Sequence, residues 1–332
     1  MNDCPRQNPA YRPTLVKEYI CRMHSATHIP VMLRESVSHL ITDRGGNYID
    51  ATFGRGGHLK EILASISDRG SVYAFDRDPA SKDQFEKTFR QEGRLSFSQG
   101  KFSDILTEMQ ALKLVGKVSG ILIDCGVSSP QLEEASRGFS FKRDGPLDMR
   151  MNPDEGFSAA DWLNSADESE ISQVIWRLGE ERFARRIARS IVVRRPLETT
   201  IQLAGLIAKE YEFLGRKKTR VHPATKTFQA IRMHVNGELS ELKKILLDGS
   251  RMLAIGGRIV VISFHSIEDR EVKNSFHRLV VGTKLPRSIP ILEKDRTASW
   301  RLIGKALKPS VQETAANPRS RTAVMRVIER VT

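Results

Sequence analysis

Cysteine and long apolar runs are both scarce in this chain of 332 residues. Its three cysteines, Cys4, Cys21 and Cys125, offer neither a disulfide framework nor the ligand spacing of a metal site. So few cysteines suit a reducing cytoplasm, which is the location we expect. The longest apolar run, residues 259–264, has the length of a buried strand and falls short of the roughly 20 residues of a membrane span. These absences exclude a disulfide-stapled protein and a membrane-spanning one.

A secretion signal is also missing, because the first 26 residues lack an apolar core. Asp3, Glu18 and the prolines of the same stretch argue against the amphipathic helix of a transit peptide. We expect residues 1–26 to form a flexible tail, with Met23 as an alternative start of the protein. The rest of the chain shows no internal repeat and no low-complexity segment.

Acidic residues are outnumbered, with 40 Asp and Glu against 53 Lys and Arg and a net charge of +13. Such a surplus indicates a polyanionic partner, either a nucleic acid or an anionic membrane surface, unless the charge is scattered for solubility. Apolar residues make up 39% of the chain and charged residues 28%, as in soluble globular proteins. The length allows one large or two ordinary domains.

Residues 47–58 have the pattern of a strand, a glycine turn and the start of a helix. The strand ends at Asp50, and the turn contains Gly54, Gly56 and Gly57. This unit is typical of nucleotide-cofactor sites, because glycine lets the backbone approach a ligand and a helix N-terminus offers free N–H groups. The same turn also occurs as a plain tight connection.

Three further strands are predicted at regular spacing, over residues 71–75, 95–99 and 119–123. The first ends at Asp76, which lies 26 residues beyond Asp50. An acid at this position can bind ribose hydroxyls, or it can cap the next helix, which is predicted over 79–90. The last ends at Asp124. Alternating strands and helices predict a doubly wound parallel α/β sheet, whose ligands lie beyond the carboxyl ends of the strands. We therefore expect the three aspartates and the loop 125–131 along that edge.

An aromatic residue, Phe102, is predicted in the loop after the third strand. It either packs on the adenine face of a cofactor or belongs to the core.

Residues 133–236 break this pattern and read as helices and polar loops. One helix has an apolar face of Phe183, Ile187 and Ile191. Its opposite face holds four arginines, Arg182, Arg185, Arg186 and Arg189. A solvated face is one interpretation, but further basic residues nearby, including Lys218, favour phosphate contact.

The α/β pattern resumes at Asn236, which is predicted to cap the next helix. A strand over 258–264 follows, and then His265. Residues 282–317 are rich in proline and basic residues and are predicted to be loop. A last strand over 323–328 is expected at the sheet edge.

The glycine turn distinguishes between two kinds of cofactor. A dinucleotide site requires a third glycine where Leu59 stands, and it requires a pyrophosphate cradle. S-adenosylmethionine has no pyrophosphate, and Asp50 can face its amino-acid moiety. The spacing favours the methyl donor.

Several ordered motifs resemble the MraW/RsmH family of 16S rRNA cytosine-N4 methyltransferases. They are DATFGRGGH at 50–58, FDRDP at 75–79, GILIDCGVSSPQL at 120–132, RGFSF at 137–141, GPLDMRM at 145–151, GEERFA at 179–184, HPATKTFQAIR at 222–232, SFHSIEDR at 263–270 and NPRSR at 317–321. The resemblance covers about residues 27–330. Cys125 and Lys226 stand where the family has Leu and Arg, and His234 and Gly237 also depart from its pattern.

The resemblance implies a class I S-adenosylmethionine-dependent methyltransferase fold with an inserted helical domain. Residues 27–132 and 237–332 would form the methyltransferase domain, and residues 133–236 the inserted substrate-recognition domain. The donor-binding residues would be Gly56, Gly57, His58, Asp76, Phe102, Asp124 and Gln131. The implied target is a cytidine amine in the decoding region of 16S rRNA in the small ribosomal subunit. No membrane and no metal is implied, and a homodimer is left open.

The catalytic hypothesis concerns the loop after the fourth strand. A cytosine amine is a poor nucleophile, so positioning and hydrogen-bond acceptors must activate it. We expect the backbone near Ser128 and Ser129 and the Asp124 carboxylate to accept its protons, with Pro130 stiffening the loop. An ordinary turn is the alternative for these residues, and His265 is a rival base or a helix cap. Arg182, Arg186, Arg189 and Lys218 are expected to contact RNA phosphates.

Two other functions compete with this one. A nicotinamide-dependent oxidoreductase would not account for the net charge of +13. A noncatalytic RNA-binding or ribosome-assembly factor would bind RNA without methyl transfer.

Overall fold

A computed structural model describes residues 30–215, 221–282 and 299–332. The expected tail, residues 1–26, and Lys218 lie outside these ranges. Among the helices so described, none has both the length and the apolar character needed to cross a membrane.

The described residues form seven strands and thirteen α-helices. The strands are β1 (Asn47–Asp50), β2 (Ser71–Asp76), β3 (Leu95–Gln99), β4 (Val118–Asp124), β5 (Leu253–Ser263), β6 (Trp300–Leu302) and β7 (Val324–Arg330). The helices are α1 (Leu33–Leu40), α2 (Gly57–Ser65), α3 (Pro79–Phe89), α4 (Phe102–Ala111), α5 (Ser129–Glu133), α6 (Ala159–Ser165), α7 (Glu168–Gly179), α8 (Ala184–Val193), α9 (Thr200–Phe213), α10 (Thr225–Val235), α11 (Glu238–Met252), α12 (Ser266–Val281) and α13 (Val311–Ala316).

All seven strands belong to one sheet in the order β3-β2-β1-β4-β5-β7-β6. Strands β1 to β5 run parallel to one another, and β7 lies antiparallel between β5 and β6. The chain leaves β1 toward β2 on one side and later reaches β4 on the other, so the strand order reverses between β1 and β4. Ligands bind at such a reversal in doubly wound sheets. The predicted Rossmann-like class I fold is confirmed.

Alternating side chains of each strand supply a hydrophobic core on each face of the sheet. On β1, Ile49 belongs to the core shared with α4, α11 and α12, while Tyr48 belongs to the core shared with α1, α2 and α3. This alternation follows from the two-residue period of a strand. Strand β4 is buried along nearly its whole length, as expected for a central parallel strand.

A third core lies among the helices that follow β4 in sequence. Its buried residues run from Leu147 to Ile231 and come from α6 to α10 and the segment before α6. Within the described part of 133–236 the structure contains no strand of the sheet, only an isolated bridge between Pro146 and Thr199. The helical prediction for this stretch is therefore confirmed, while the domain boundaries at 133 and 236 remain a proposal.

Four sequence predictions were wrong in position. Asn236 caps the end of α10 instead of the start of α11, which begins after Gly237 in a left-handed conformation at φ 61°. Phe102 is the first residue of α4 and not part of a loop. Strand β7 is flanked by β6 and is not the edge. The stretch 282–317 includes β6 and α13 in its described part.

The side chain of Asn236 explains the first of these differences. Its Nδ2 donates to the carbonyl oxygens of Met149 at 2.7 Å and Arg232 at 2.9 Å, and its Oδ1 accepts from the N–H of Met151 at 2.7 Å. Arg77, just after β2, donates to the Asn236 carbonyl at 2.6 Å. Asn236 thereby ties the end of α10 to the segment before α6 and to the sheet.

Candidate active site

The carboxyl ends of β1, β2 and β4 bring three aspartates to one edge of the sheet. Asp50 pairs in register with Ala74 of β2 and Leu122 of β4. Asp76 and Asp124 end the two neighbouring strands. The expected meeting of the three acids at this edge is confirmed. Each of them has a raised pKa, chiefly because it is buried.

Asp50 is fully buried, and one of its carboxylate oxygens has no hydrogen-bond partner among the described residues. Its Oδ1 accepts from the N–H of Thr52 at 3.1 Å, while Oδ2 is the atom left over. Burial, and then the charge of Asp76, raise the pKa of Asp50 to about 7. An unpaired buried carboxylate is costly, so this atom fits a cationic or hydrogen-bond-donating ligand.

Asp124 has a second such atom. Its Oδ1 is buried without a partner among the described residues, although the side chain keeps 24% of its surface exposed. Burial and the charges of Asp50 and Glu268 hold the pKa of Asp124 well above its usual range. The N–H of Asp124 donates to Oγ1 of Thr52 at 2.8 Å, which links the ends of β1 and β4. Two unpaired carboxylate oxygens thus lie at the switch point of the sheet.

Asp76 holds the glycine turn in place. Its Oδ2 accepts from the N–H of Gly54 at 2.7 Å, and its Oδ1 accepts from the N–H of Asp78 at 2.9 Å. The cap of α3 is Asp78, whose Oδ1 accepts from Ala80 at 3.1 Å, so the reading of Asp76 as the helix cap was wrong. A carboxylate has about four acceptor positions, so Asp76 keeps capacity for a ribose hydroxyl beside its two backbone bonds and its side-chain bond with Ser81.

The glycines of the turn are required by the protein's own packing. Gly56 has φ 73°, and a Cβ built there would lie 2.7 Å from the Phe89 ring and 2.9 Å from the Phe53 ring. A Cβ on Gly57 would lie 2.2 Å from Cγ of Pro30. A side chain at either position would therefore disrupt the turn even before any cofactor binds.

His58 is buried in the first turn of α2. Its Nε2 lies 3.1 Å from the carbonyl oxygen of Val31, and its Nδ1 lies 3.7 Å from Oδ2 of Asp124. The imidazole therefore connects the segment before α1 to the acid that ends β4.

The rim loop (residues 125–131) leads from β4 into α5. Ser128 is the N-cap residue of α5, with Pro130 in its first turn, so Ser128, Ser129 and Pro130 begin a helix and are not an ordinary turn. The Ser128 carbonyl oxygen accepts from Leu132 at 3.4 Å, a long contact that leaves it acceptor capacity. The role of these residues toward a substrate amine stays a prediction.

Gln131 fastens the rim loop from the inside. Its Oε1 accepts from the N–H of Ser128 at 2.9 Å, and its Nε2 donates to Oδ2 of Asp78 at 2.8 Å. Asp78 also accepts from Nη1 of Arg137 at 2.8 Å. The buried Gln131 amide is thus engaged at both ends, and its expected contact with the donor stays a prediction.

Phe102 starts α4 beyond the carboxyl end of β3. Its side chain is partly buried and packs against the core beneath the sheet. Core packing is therefore confirmed for this residue, and contact with an adenine stays a prediction.

Arg319 reaches the rim loop from the C-terminal part of the chain. Its Nη1 donates to Oγ of Ser129, and its Nη2 donates to Oε1 of Glu133 at 3.1 Å. The sequence contained the motif NPRSR, but nothing in it indicated a contact across 190 residues.

Comparison with known proteins places this site in a family. A sequence model of the MraW methylase family matches residues 25–331. The chain belongs to the MraW methylase family. A protein of Nitrosococcus oceani named ribosomal RNA small subunit methyltransferase H is 46% identical over 311 residues, 92% of this chain and 98% of that protein. A protein of the same name from Chromohalobacter salexigens is 46% identical over 334 residues, which are 99% of this chain and 98% of that protein.

A solved structure of an rRNA methylase from Streptococcus thermophilus covers 91% of this chain and 95% of its own length, at 11% identity and a TM-score of 0.37.

In this MraW methylase the arginines of α8 differ in their surroundings. Arg182 precedes the helix, is exposed and lies over the Phe183 ring at 4.7 Å, while Arg189 is exposed on the helix itself. Arg186 is half-buried, forms an ion pair with Glu210 of α9 and lies over the Phe213 ring at 4.4 Å. Arg186 thus holds two helices together, whereas Arg182, Arg185 and Arg189 are exposed. Lys218 lies outside the described residues.

His265, the rival base, lies at the N-cap of α12. Burial, and then the charge of Arg232, lower the pKa of His265 to about 4. The backbone N–H of His265 donates to Oε2 of Glu268 at 3.1 Å. The expected helix-cap position is confirmed, and the imidazole is neutral at physiological pH.

A buried ion cluster lies behind His265, and the sequence did not predict it. Arg232 of α10 binds both carboxylate oxygens of Glu238, at 2.8 and 2.7 Å, and lies 3.7 Å from Glu268. Because α10, α11 and α12 each supply one member, the cluster fixes the helical part against the end of β5.

Three of the residues that depart from the family pattern, Cys125, Lys226 and His234, contact other parts of this chain. Cys125 is buried directly after Asp124, and burial raises the pKa of its thiol well above the ordinary value. Nζ of Lys226 donates to the carbonyl oxygen of Glu180 at 3.0 Å. The His234 ring lies 4.3 Å from that of Trp162.

Proposed function

We propose that this chain transfers a methyl group from S-adenosylmethionine to the N4 amine of a cytidine in the decoding region of 16S rRNA, within the small ribosomal subunit. The observation that carries the proposal is the pair of unpaired carboxylate oxygens, Oδ2 of Asp50 and Oδ1 of Asp124, at the switch point of the sheet. Family membership and the names of the relatives support the reaction type and the kind of RNA.

The charge of this edge favours the methyl donor over a dinucleotide. S-adenosylmethionine carries an ammonium and a sulfonium group, and both are attracted by carboxylates. A dinucleotide would bring a pyrophosphate toward Asp50, Asp76 and Asp124, where like charges repel. The oxidoreductase alternative is therefore disfavoured by the electrostatics of the site.

Each acid is assigned a separate role toward the donor and the target. Asp50 would bind the ammonium group, and Asp76 would bind the ribose hydroxyls while it keeps the Gly54 turn in place. Gly56, Gly57, His58, Phe102 and Gln131 would complete the donor site. The donor supplies the electrophilic methyl group when it is bound.

Asp124 is the proposed proton acceptor. The target nitrogen gains a methyl group and gives up one proton, so a base near this nitrogen assists the reaction. A carboxylate whose pKa is raised by burial is a stronger base than one in water. Asp124 ends β4 directly before the rim loop, where Ser128, Ser129 and Pro130 would position the base.

The RNA must present its target nucleotide outside a base stack. We assign this recognition to residues 133–236, whose helices have their own core. Arg182 and Arg189 present exposed positive charge for phosphates, and Arg186 and Lys218 stay candidates. A cytoplasmic location follows from a ribosomal substrate, and the state of oligomerisation stays open.

Transfer of a tritiated methyl group tests the proposal. Purified protein is incubated with labelled donor and with small ribosomal subunits, naked 16S rRNA or DNA, and NAD binding is titrated in parallel. Label in small-subunit RNA and not in DNA is expected. RNA binding without label would favour the assembly-factor alternative, and tight NAD binding would favour the oxidoreductase.

A further inference from the structure

A cavity of about 360 Å³ lies beside the candidate active site, at the carboxyl end of β5. It opens between the start of α12 and the segment that leads into β7. Its lining includes Phe264, His265, Ser266, Asp269, Lys308 and Arg321. Its volume falls in the range of small-ligand sites.

The cavity and the rim loop share a contact with the Phe264 side chain. A Cβ built on Gly126 would lie 3.2 Å from the Phe264 ring, so the rim loop rests against one wall of the cavity. The 3-10 segment Pro318–Thr322 forms another wall through Arg321, while Arg319 of the same segment donates to Ser129 of the rim loop. A strand of RNA that places a nucleotide at the rim loop would therefore pass this cavity.

The charge of the cavity is positive and is not neutralised by the protein. Lys308 and Arg321 are exposed, and within the described residues neither forms an ion pair. The acid of the lining, Asp269, is occupied by Arg326, which binds both carboxylate oxygens at 2.7 and 2.9 Å. Two cations thus face the cavity without a matching acid.

An acid that contacts the lining residue Ser266 is neutralised as well. Oγ of Ser266 donates to Glu180 at 2.7 Å, and Glu180 in turn pairs with Arg270 at 2.6 Å. The N-terminus of α12, a helix of 16 residues, adds a partial positive charge at the same place.

We propose that this cavity binds a phosphodiester group of the RNA strand, next to the nucleotide that enters the rim loop. Lys308 supplies a point charge, and Arg321 supplies a fork of N–H donors that matches phosphate oxygens. The site rests on the proposed function, and it adds a phosphate contact outside the helical region 133–236.

Variants in which glutamine replaces the charged residues test the site without disturbing the fold. Lys308→Gln combined with Arg321→Gln removes both charges, and Lys82→Gln combined with Arg90→Gln removes one lysine and one arginine from exposed positions of α3 and its end. Donor affinity and thermal unfolding should match the wild type in both. RNA affinity is then measured at several salt concentrations. The slope of log K against log salt should become shallower by about 0.7 for each phosphate that the protein no longer neutralises, in the cavity variant alone.

Oligoribonucleotides in which one phosphodiester linkage is uncharged locate the phosphate that the cavity contacts. A set of oligoribonucleotides, each with one methylphosphonate linkage near the target cytidine, is titrated with the wild type and with the cavity variant. One linkage should weaken binding severalfold in the wild type and have no effect in the variant. Inorganic phosphate at matched ionic strength should not compete.

Three results would contradict the proposed site. The slope of log K against log salt could be equal for the cavity and control variants, or each methylphosphonate linkage could weaken binding equally in the cavity variant and the wild type. Inorganic phosphate could also compete with RNA binding as strongly as the oligonucleotide does. Wild-type protein that transfers no methyl group to RNA would instead contradict the proposed function, so the two failures are distinguishable.

Discussion

His58 and Asp124 face each other, with Nδ1 of the imidazole 3.7 Å from Oδ2 of the carboxylate. On the other side of the ring, Nε2 lies 3.1 Å from the carbonyl oxygen of Val31. Because a carbonyl can only accept, we assign a proton to Nε2. His58 is therefore a positioning residue that lies beside one oxygen of Asp124, at a distance longer than a hydrogen bond, while the other oxygen, Oδ1, has no partner among the described residues.

Two substitutions distinguish the role of Nδ1 from that of Nε2 in this imidazole. His58→Asn retains a polar group near the position of Nδ1, and His58→Gln retains one near Nε2. We expect the Asn variant to keep most of kcat but lose stability, and the Gln variant to keep stability but to show a kcat about tenfold lower, the size of a modest positioning effect. Single-turnover methyl transfer and urea unfolding measure the two effects. An equal decrease of kcat in both variants would argue against a role for the contact with Asp124.

Donor affinity should depend on pH through Asp50. Its pKa is raised to about 7, with Asp76 as the charged neighbour, and an ammonium group binds only the ionised form. The affinity for S-adenosylmethionine should therefore rise by up to about tenfold per unit as pH increases from about 5.5 toward about 7, and then level off. Calorimetry across this range measures it. Asp50→Asn should bind weakly at every pH, and an unchanged pH profile in that variant would exclude Asp50 as the cause.

The same raised pKa has the opposite effect on the donor-free protein. Folded Asp50 holds its proton more tightly than unfolded Asp50, so the free energy of unfolding falls as pH rises from about 4 to about 7. Asp50→Asn removes this penalty and should stabilise the donor-free protein at about pH 8, on the order of 2–4 kcal/mol. Urea unfolding at about pH 5 and about pH 8 checks the sign. A variant less stable than the wild type at the higher pH would contradict the assignment.

Arg319 should act on the rim loop through its two contacts, Ser129 and Glu133. Arg319→Lys keeps the charge but loses the fork, and Glu133→Gln keeps the shape but removes the charged acceptor. If Arg319 positions the loop, both variants should lower kcat severalfold with little change in donor affinity. If Arg319 only attracts RNA, Glu133→Gln should leave kcat unchanged. Steady-state kinetics with small subunits distinguishes the two outcomes.

Reversing the exposed charges near α8 should weaken RNA binding in a salt-dependent way. Arg182→Glu combined with Arg189→Glu should raise the Kd for RNA and leave donor affinity intact. Arg186→Glu also breaks the ion pair with Glu210, so it should lower the melting temperature as well. Charge reversal at Lys82 and Arg90 is the matched control. RNA affinity equal to that of the control would remove these arginines from the interface.

The sheet and its acidic edge were predictable because their signals are local. Strands β1, β2 and β4 contain short apolar runs, and Asp50, Asp76 and Asp124 end these strands. In a doubly wound sheet the carboxyl ends meet at one edge, so their meeting follows from topology alone.

The wrong predictions concern residues whose partners are distant in sequence. An asparagine before an apolar run has the local pattern of an N-cap, but Asn236 is held by Met149 and Met151. Strand β6 has three residues and depends on pairing with β7, which no local pattern indicates. The contact of Arg319 with Ser129 likewise depends on the completed fold.

The identity of the methylated nucleoside tests the central claim most directly. Small ribosomal subunits are isolated from cells that lack this protein and treated with the purified protein and S-adenosylmethionine, and their rRNA is then digested to nucleosides and analysed by mass spectrometry. We predict that N4-methylcytidine appears with the wild type and is strongly reduced with Asp124→Asn. A methyl group on another nucleobase, or none at all, would contradict the proposed reaction.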